Sequence, residues 1–573
     1  MGQNKKGRVQ RQGRPKPVSA GPVSSDPMPG WLKTDKAIAA GESFFRPVDW
    51  LAFGITTLVT LLGYCLTISP DLTLEDCGEL AVGSMYAGVP HPPGYPVWTL
   101  YTWLFTKLVP ISNIAFRVAL SSAFAAALSS GLLALLTCRA SARIIESIDW
   151  FNGIDERLAK RVTLFTNAYC ISAACNPSRV ATLTGLRPST SGVYGNKSDW
   201  RKALPKRQTL MQQFQLAGYA VRGAGKIFHH QFNGAFHDEA SFGDFLSMAP
   251  QNMPPKKLNQ APKYGSRNTD WGAWPSDEKN TIDFRTTEYC IRSLKNPPID
   301  KPLFLACGIF KPHSPFFAPS KYHAKLPEIT NPTRLDSDWS DLPTGALKLM
   351  QNKKWFWNGM SALDKRIPGS YDDFVRAYAA CCLFADAQVG RLLDALDHSP
   401  IAKNTIIVFW SDHGFHLGEK DHIEKFALWE KANHVPFIIS APGVGTPGSR
   451  CEIPVDLTVL YPTLLHLCGI KDQSYCDGNS ALPLLKNPKA KWDHPAISTY
   501  GRNNHTLRTQ RWRYIRYSDG TEELYDHQND PDEWTNLARR ESAQTHLAKL
   551  RDRLKFSQDA EPVSDLRKPK ARR

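Results

Sequence analysis

The fold of this chain is decided by the stretch Cys175-Asn176-Pro177-Ser178-Arg179, which is followed closely by Thr184-Gly185. Residues 165–170, which are apolar and aromatic for the most part, lead into it, and residues 183–188 continue it. So short a pattern leaves two interpretations open: a cysteine that carries chemistry, or a buried structural cysteine where a loop turns into a helix. The rest of the chain has to decide between them.

Further polar segments follow in order, and two of them come directly after apolar runs that predict buried strands. The run at 303–310 leads into Lys311-Pro312-His313, and the strand at 405–410 leads into Ser411-Asp412-His413-Gly414. Side chains at the carboxyl ends of parallel strands meet at one edge of a sheet, so these groups are expected to converge. The other segments are Gly225-Lys226-Ile227-Phe228-His229, Glu424-Lys425-Phe426, Arg513-Tyr514-Ile515-Arg516-Tyr517 and Glu523-Leu524-Tyr525-Asp526.

Taken together, these segments resemble the type I sulfatases, and within them the iduronate-2-sulfatase branch, over residues from about 155 to 550. The resemblance implies an α/β fold like that of alkaline phosphatase, with a mainly parallel sheet and a smaller C-terminal subdomain. It also implies that a formylglycine-generating enzyme oxidises Cys175 to formylglycine, whose hydrated form attacks sulfur. A divalent cation, usually calcium, then holds the charge of the sulfate ester.

The same resemblance assigns roles to individual positions. It implies that Cys175, once modified, binds the Ca²⁺ ion together with Asp412 and His413. The remaining implied catalytic residues act on the hydrated aldehyde, the leaving alcohol or the sulfate: Arg179 and Lys226 brace the aldehyde, His229 removes its proton, His313 protonates the alcohol, and Lys311 and Lys425 clamp sulfate oxygens.

One part of the sulfatase pattern is missing. Type I sulfatases begin with a buried strand that ends in two adjacent aspartates, both metal ligands, whereas here residues 152–160 resemble the segment that normally follows that strand. The only Asp-Asp pair in the chain is Asp372-Asp373, at the start of a helix expected over 374–396. We therefore expect the first strand to be replaced, calcium binding to be weakened and activity to be impaired.

The length and net charge of the chain bear on the partners that it can bind. The chain has 573 residues, 42% of them hydrophobic, and a formal net charge of +16, part of which comes from basic runs at both ends. Such runs bind nucleic acid or lie against anionic lipid. Because an apolar span follows the first run, the lipid interpretation is favoured, and no specific nucleic-acid partner is expected.

Residues 50–68 and 118–138 carry no charge and are each long enough to cross a bilayer as a helix. The segment between them, with Glu75, Asp76 and His91, resembles the first outer loop of a bacterial membrane family related to type-C glycosyltransferases. Too few spans are present for a lipid-sugar pocket, so these three residues are interpreted as vestigial. The basic tail predicts an inner-membrane protein with its sulfatase body on the cytoplasmic side.

We divide the chain into a basic tail (1–49), a membrane segment (50–150), a sulfatase catalytic domain without its first strand (151–500), a C-terminal subdomain (501–555) and a second basic tail (556–573). The predicted function is hydrolysis of sulfate esters on a sulfated glycan. The alternatives are a phosphatase or phosphonate hydrolase of the same superfold, and an inactive membrane-anchored fusion or binding protein.

Overall fold

The computed structural model describes residues 47–68, 77–86, 96–111, 113–148, 163–229, 237–248, 252–259, 269–351, 354–471, 475–554 and 559–566. Two compact units divide the chain, Met1–Trp150 and Phe151–Arg573. The expected vestigial residues Glu75, Asp76 and His91, most of both basic tails, and the segment 152–160 lie outside the described residues.

The first unit is helical, as its apolar composition predicts. Its helices are α1 (Pro47–Thr67), α2 (Cys77–Tyr86), α3 (Pro96–Leu108) and α4 (Ile114–Ile148). Helices α1 and α4 pack closely at Gly131, where a Cβ atom would lie only 1.9 Å from Thr57 Oγ1, so the approach depends on glycine. Two stretches, Asp49–Thr67 and Ile114–Leu135, are long and apolar enough to span a membrane.

The second unit alternates strands and helices. Its helices are α5 (Cys175–Thr184), α6 (Pro188–Ser191), α7 (Trp200–Ala203), α8 (Leu210–Leu216), α9 (Ile282–Lys295), α10 (Ser320–Ala324), α11 (Thr344–Met350), α12 (Trp355–Arg366), α13 (Ser370–Asp397), α14 (Glu430–Asn433), α15 (Leu460–Leu467), α16 (Leu482–Lys486) and α17 (Gln544–Arg553).

Seventeen strands are present among the described residues of this unit. They are β1 (Thr163–Phe165), β2 (Ala168–Tyr169), β3 (Ala220–Gly225), β4 (Asp244–Leu246), β5 (Trp271–Ala273), β6 (Leu303–Gly308), β7 (Phe316–Ala318), β8 (Ile407–Trp410), β9 (His416–Leu417), β10 (Ile423–Glu424), β11 (Phe437–Ser440), β12 (Ser449–Cys451), β13 (Val455–Asp456), β14 (Ala496–Thr499), β15 (His505–Arg508), β16 (Trp512–Arg516) and β17 (Glu522–Asp526).

The strands of the catalytic body form a mixed but mainly parallel arrangement, which confirms the expected fold class. Strands β4-β3-β6 are parallel, and so are the pairs β5-β7, β2-β13 and β1-β12. Strand β11 is antiparallel to both β1 and β8. Two larger sheets result, β4-β3-β6 and β12-β1-β11-β8.

Both larger sheets contribute to the same apolar cores. Phe304 and Ala306 of β6 pack against a cluster that also takes Val408 and Trp410 of β8. Leu305 of β6 and residues of α9 and α13 lie in a second cluster, which Ile407 of β8 joins. Alternate residues of a strand point to opposite faces, so the two sheets lie in one layer between these cores.

The C-terminal subdomain is the antiparallel sheet β14-β15-β16-β17, with α17 packed on it. Its first strand begins at Ala496. Buried charges join it to the body: the guanidinium of Arg513, which is fully buried, forms ion pairs with Glu430 and Glu533. Removing one partner from such a network leaves an uncompensated buried charge, so this junction depends on all three.

Candidate active site

Helix α5 presents Cys175 at its first residue. Pro177 lies in the first turn, where the missing N–H costs no helical hydrogen bond. Asn176 fixes the turn, because its side chain donates to the carbonyls of Gly195 and Ser198, at 3.0 Å each. Gly185 ends the helix with φ +73°, a conformation that favours glycine. The motif therefore specifies a loop-to-helix turn that fixes Cys175 in place.

Polar groups from four separate segments converge on the Cys175 sulfur, which is 1% exposed. His413 Nε2 and Lys425 Nζ each lie 3.2 Å from Sγ, and Lys226 Nζ lies 3.9 Å away. His313 is in hydrogen-bonding range as well. These groups follow β8, β10, β3 and β6, so the convergence expected at the strand ends is present in the structure.

The charge around the sulfur is strongly positive. Burial alone would raise the pKa of the Cys175 thiol, but Lys226, Lys425 and His413 hold it well below its ordinary value. Burial also lowers the pKa of the Lys226 ammonium to about 8, while the sulfur beside it acts in the opposite direction. The site is thus built to stabilise negative charge at the position of Sγ.

Arg179 does not point at the sulfur. Its Nε donates to Asp412 Oδ2 at 2.6 Å, and its Nη1 donates to the carbonyls of Lys226 and Ile227 at 2.6 and 2.9 Å. One guanidinium therefore ties α5 to the ends of β3 and β8. Burial would raise the pKa of Asp412, but Arg179 lowers it to about 2, so the carboxylate is ionised.

Both histidines beside the sulfur are held in a defined tautomer. Nδ1 of His413 lies 2.8 Å from the carbonyl of Gly414, and Nδ1 of His313 lies 2.7 Å from the carbonyl of Ser314. A carbonyl only accepts, so Nδ1 carries the proton in each ring and the lone pair of a neutral ring is at Nε2. Burial, reinforced by Lys226, lowers the pKa of His313 to about 3, so that ring is neutral near pH 7.

One residue expected in the site, Lys311, bonds within its own loop. The ammonium of Lys311 donates to the carbonyl of Pro315 and lies 3.5 Å from that of His313, so it closes its own loop instead of facing Cys175. His229 is half-buried and follows β3. The geometry thus assembles Cys175, Lys226, His313, His413 and Lys425, while the ammonium of Lys311 bonds to carbonyls of its own loop.

Sequence reasoning missed two supports of the site. The buried carboxylate of Asp283, in α9, accepts the backbone N–H groups of Phe310 and Lys311 at 2.6 and 3.1 Å, which holds the loop that presents His313. His422, fully buried, bonds through Nε2 to the carbonyl of Lys425 at 2.6 Å. No local pattern marks Asp283, whereas His422 is only three residues from Lys425 and could have been considered.

The segment that carries Lys425 has an unusual backbone. Lys420, Asp421, Glu424 and Phe426 all have φ between +47° and +128°, values that non-glycine side chains rarely adopt. Buried contacts hold the segment in this form: Lys420 Nζ lies 2.7 Å from Asp338 Oδ1, with both side chains at most 3% exposed. Such conformations persist only where the surroundings enforce them, and they concentrate at functional sites.

The donor set expected for calcium is incomplete. Ligand atoms of Cys175, Asp412 and His413 lie within 4.8 Å of one another. Ca²⁺ takes six to eight oxygen ligands, yet this set has a single carboxylate, and Arg179 already occupies one of its oxygens. Lys226 and Lys425 add positive charge. The residues described here therefore do not fit calcium without further oxygen donors.

Three family models match the chain. The model described as Sulfatase covers residues 150–470, and the one described as N-sulphoglucosamine sulphohydrolase, C-terminal, covers 418–560. The model described as Protein O-mannosyl-transferase TMEM260 N-terminal domain covers 76–176. The expected N-terminal resemblance to a membrane-type family is thereby confirmed.

Among curated proteins, a sulfatase of Formosa agariphila is 37% identical over 405 residues, which are 67% of this chain and 77% of that protein. Human iduronate 2-sulfatase is 30% identical over 360 residues, 56% of this chain and 65% of that enzyme. A hexuronate sulfatase of Bacteroides thetaiotaomicron, named delta 4,5-hexuronate-2-O-sulfatase, is 27% identical over 413 residues, 67% of this chain and 79% of that protein.

Solved structures share the fold at lower identity. A putative sulfatase of Bacteroides thetaiotaomicron aligns with a TM-score of 0.54 at 23% identity and covers 70% of this chain and 85% of its own. A phosphonate monoester hydrolase of Agrobacterium radiobacter aligns at 0.55 and 20% identity, covering 70% and 89%. Fold likeness therefore does not separate sulfate from phosphonate chemistry. The family model over residues 150–470 and the relative at 37% identity do, and by them the chain belongs to the sulfatase family of hydrolases.

Proposed function

We propose that this chain hydrolyses sulfate esters of a glycan with a formylglycine made from Cys175 by a formylglycine-generating enzyme. The observation that carries the proposal is the convergence of Lys226, Lys425 and His413 on a sulfur that is 1% exposed at the start of α5. A purely structural cysteine would need apolar neighbours instead of two ammonium groups. In sulfatases, formylglycine supplies a hydrated aldehyde that acts as the nucleophile.

The residues of the site then have separable tasks. Lys226 and Lys425 stabilise negative charge at position 175 and on sulfate oxygens, and this interaction is strong because both side chains are at most 8% exposed. When the ring of His413 is neutral its proton is on Nδ1, so Nε2, 3.2 Å from Cys175 Sγ, can accept a proton from the nucleophile. Arg179 acts indirectly by holding Asp412 and the end of β3.

His313 is proposed as the group that exchanges a proton with the leaving alcohol. In the free protein its pKa of about 3, which burial lowers and Lys226 lowers further, keeps the ring neutral. A bound sulfate ester adds negative charge next to the ring and therefore raises this pKa. The proton would thus be taken up as substrate binds, when it is needed for the departing oxygen.

The substrate class is proposed from the relatives. Two of them are named for removing sulfate from uronic acids, iduronate in one and a delta 4,5-hexuronate in the other. We therefore propose a sulfated uronate-containing glycan as the substrate. Its carboxylate and sulfate groups match a site whose described neighbours carry more positive than negative charge.

Calcium is proposed to bind weakly, and turnover to be correspondingly impaired. Only Asp412 offers a carboxylate beside Cys175, and Arg179 already neutralises it. A cation approaching this site meets Lys226 and Lys425 without the acidic ligands that would compensate for them. The alternative of an inactive fusion or binding protein follows from the same observation and predicts glycan binding without turnover.

Association with a membrane is proposed for the first unit. Its two apolar stretches, Asp49–Thr67 and Ile114–Leu135, meet the length requirement for spanning, and the family matched at 76–176 is of the membrane type. The basic tail is proposed to contact anionic lipid at the cytoplasmic face of the inner membrane, and the sulfatase body to lie on that side.

A direct test uses the full chain co-expressed with a formylglycine-generating enzyme. Hydrolysis of 4-nitrocatechol sulfate should exceed hydrolysis of 4-nitrophenyl phosphate and of a phenyl phosphonate ester, and Cys175→Ala should abolish it. Cys468→Ala, which changes a half-buried free thiol, is the matched control and should retain activity. Faster cleavage of the phosphate or phosphonate ester, or full activity in Cys175→Ala, contradicts the proposal.

A further inference from the structure

Helix α5 begins without a capping side chain of its own. Its N-cap residue, Ala174, offers no side-chain acceptor, so the first N–H groups of the helix need partners from elsewhere. The loop 195–198 supplies one of them, because the backbone N–H of Asn176 donates to Oδ1 of Asn196 at 3.0 Å. The side-chain amide of Asn176 donates to two carbonyls of the same loop. This loop therefore sets the position of the helix start, and of Cys175 with it.

The segment that contains this loop is held in turn by residues 559–566, which we call the C-terminal strap. The strap runs antiparallel to the loop at a bridge between Ser198 and Asp565. Further backbone hydrogen bonds of 2.7 to 3.1 Å join the two segments, and the pairs, donor first, are Asp199 and Ser564, Leu566 and Lys197, Val563 and Gly192, and Ala560 and Ser189. A Cβ atom at Gly192 would lie 2.3 Å from the carbonyl oxygen of Glu561, so this close approach depends on glycine.

A buried carboxylate anchors the first residue of the strap. Asp559 lies 3.3 Å from Nε2 of His505, and the two side chains are 3% and 1% exposed. The same carboxylate accepts the backbone N–H of Asn503 at 2.9 Å and the hydroxyl of Tyr194 at 3.4 Å. Burial acts to raise the pKa of Asp559, but His505 and these hydrogen bonds lower it, so the carboxylate is ionised near pH 7. The attachment of the strap therefore depends on this one group.

The polar contacts of Cys175 are sensitive to any movement of the helix start. His413 Nε2 and Lys425 Nζ each lie 3.2 Å from Sγ, and neither residue belongs to α5 or to the loop. A shift of the first turn of α5 therefore moves the side chain at 175 relative to both groups. A misplacement of about 1 Å in a reacting group can lower a rate by about 10²-fold.

We propose that the C-terminal strap positions the side chain at 175 by bracing the loop 195–198, which holds the start of α5 through Asn176. The residues of the strap act through Asn176 and are positioning residues, not catalytic ones. The coupling between the strap and α5 does not rest on the proposed function, whereas its effect on turnover does.

Hydrogen exchange on the full chain in detergent tests this coupling without any turnover. Asp559→Ala removes the buried carboxylate and should speed exchange by at least ~10-fold in three segments, namely the strap, residues 192–199 and residues 175–179. Leu566→Pro removes a backbone donor at the other end of the strap and should have the same effect. Protection at 437–440, in β11, should stay as in the wild type, which shows that the unit is folded.

Glu561→Ala is the matched control. Glu561 also belongs to the strap, but its side chain is 81% exposed, so its pair with Arg502 contributes little. This variant should leave exchange in all three segments unchanged. If Asp559→Ala and Leu566→Pro loosen the strap while residues 175–179 exchange as in the wild type, the strap does not position Cys175 and the proposal is wrong. The proposal is equally wrong if neither variant loosens the strap.

Turnover gives a second test. Per formylglycine, counted by mass spectrometry, Asp559→Ala should lower kcat for 4-nitrocatechol sulfate by about 10-fold and change KM by less than about 2-fold, because the reacting group is displaced while the groups that bind sulfate stay in place. Asn176→Ala should have the same effect. The double variant should be no slower than Asn176→Ala alone, because both substitutions break one line of contacts. Additive losses would show that the strap acts by another route and would overturn the proposal. A wild type without turnover contradicts the proposed function, and the exchange experiment alone then decides whether the strap positions Cys175.

Discussion

Arg179→Met is expected to destabilise the sulfatase unit by about 3–5 kcal/mol at pH 7, the usual cost of removing one partner from a buried ion pair. The pair is buried on both sides: Arg179 Nε lies 2.6 Å from Asp412 Oδ2, and each side chain is 11% exposed. Methionine keeps an unbranched aliphatic stem but loses the donors to Asp412 and to the carbonyls of Lys226 and Ile227. The substitution thus removes the guanidinium charge together with its hydrogen bonds.

The size of the effect should depend on pH. Burial acts to raise the pKa of Asp412, but Arg179, together with His413 and Lys226, lowers it from 3.8 to about 2. A pKa lowered on folding stabilises the folded state above the unfolded value, and that stabilisation is lost as pH falls through the folded value. The difference in the free energy of unfolding between wild type and Arg179→Met should therefore be largest near pH 7 and shrink as pH falls and Asp412 becomes protonated in both proteins.

This difference in the free energy of unfolding is measured by urea unfolding of the full chain in detergent, followed by tryptophan fluorescence at several pH values. Arg391→Met is the matched control, because Arg391 pairs with Glu288 at 2.6 Å but the two side chains are 27% and 43% exposed. Exposed pairs contribute about 0–1 kcal/mol, so this variant should remain close to wild type. If wild type and Arg179→Met differ in their free energy of unfolding by the same amount at pH 3 and pH 7, Arg179 acts by packing and the electrostatic argument is wrong.

Three further outcomes are expected. Co-expression with a formylglycine-generating enzyme should lower the mass of the Cys175 peptide by about 18 Da, the change from thiol to aldehyde; mass spectrometry that finds only thiol, alongside a modified control sulfatase, contradicts this. In intact cells the C-terminal region should resist external protease, because two spans return the chain to the side of its basic tail; digestion there would indicate a further span. Turnover of aryl sulfates should be at least ~10²-fold below that of an intact relative. Replacing residues 1–154 by a sulfatase N-terminus that ends in a strand and two aspartates should restore both turnover and calcium affinity. Normal calcium binding by the unaltered chain would show that the calcium ligands come from elsewhere.

Much of the catalytic body was predictable because its strands are short apolar runs that end in polar groups. The run at 303–310 is the strand Leu303–Gly308, the run at 405–410 is Ile407–Trp410, and the helix expected at 374–396 is Ser370–Asp397. Strand direction was not predictable in this way: β11 is antiparallel to both of its neighbours, and an apolar run of four residues reads the same in either direction.

The sequence predicts which residues belong to the site better than it predicts which atoms their side chains contact. Residue types at strand ends place Lys226, His313 and His413 at one edge of the sheet, and these do meet at Cys175. The direction of a long side chain is set by the partners that the folded chain brings near it, whether close or distant in sequence. Lys311 turns to the carbonyl of Pro315, four residues on, and Arg179 turns to Asp412, 233 residues away.

The surplus of positive charge at Cys175 has opposite consequences for the two ions that a sulfatase must hold. Lys226 and Lys425 are buried, so each loses hydration, and the pKa of about 8 at Lys226 shows that its neighbours do not fully compensate for this loss. An anionic sulfate relieves the surplus, whereas a calcium ion increases it. Anion binding and cation binding should therefore be separable in this chain, with the first intact and the second dependent on acidic groups that the described residues do not provide.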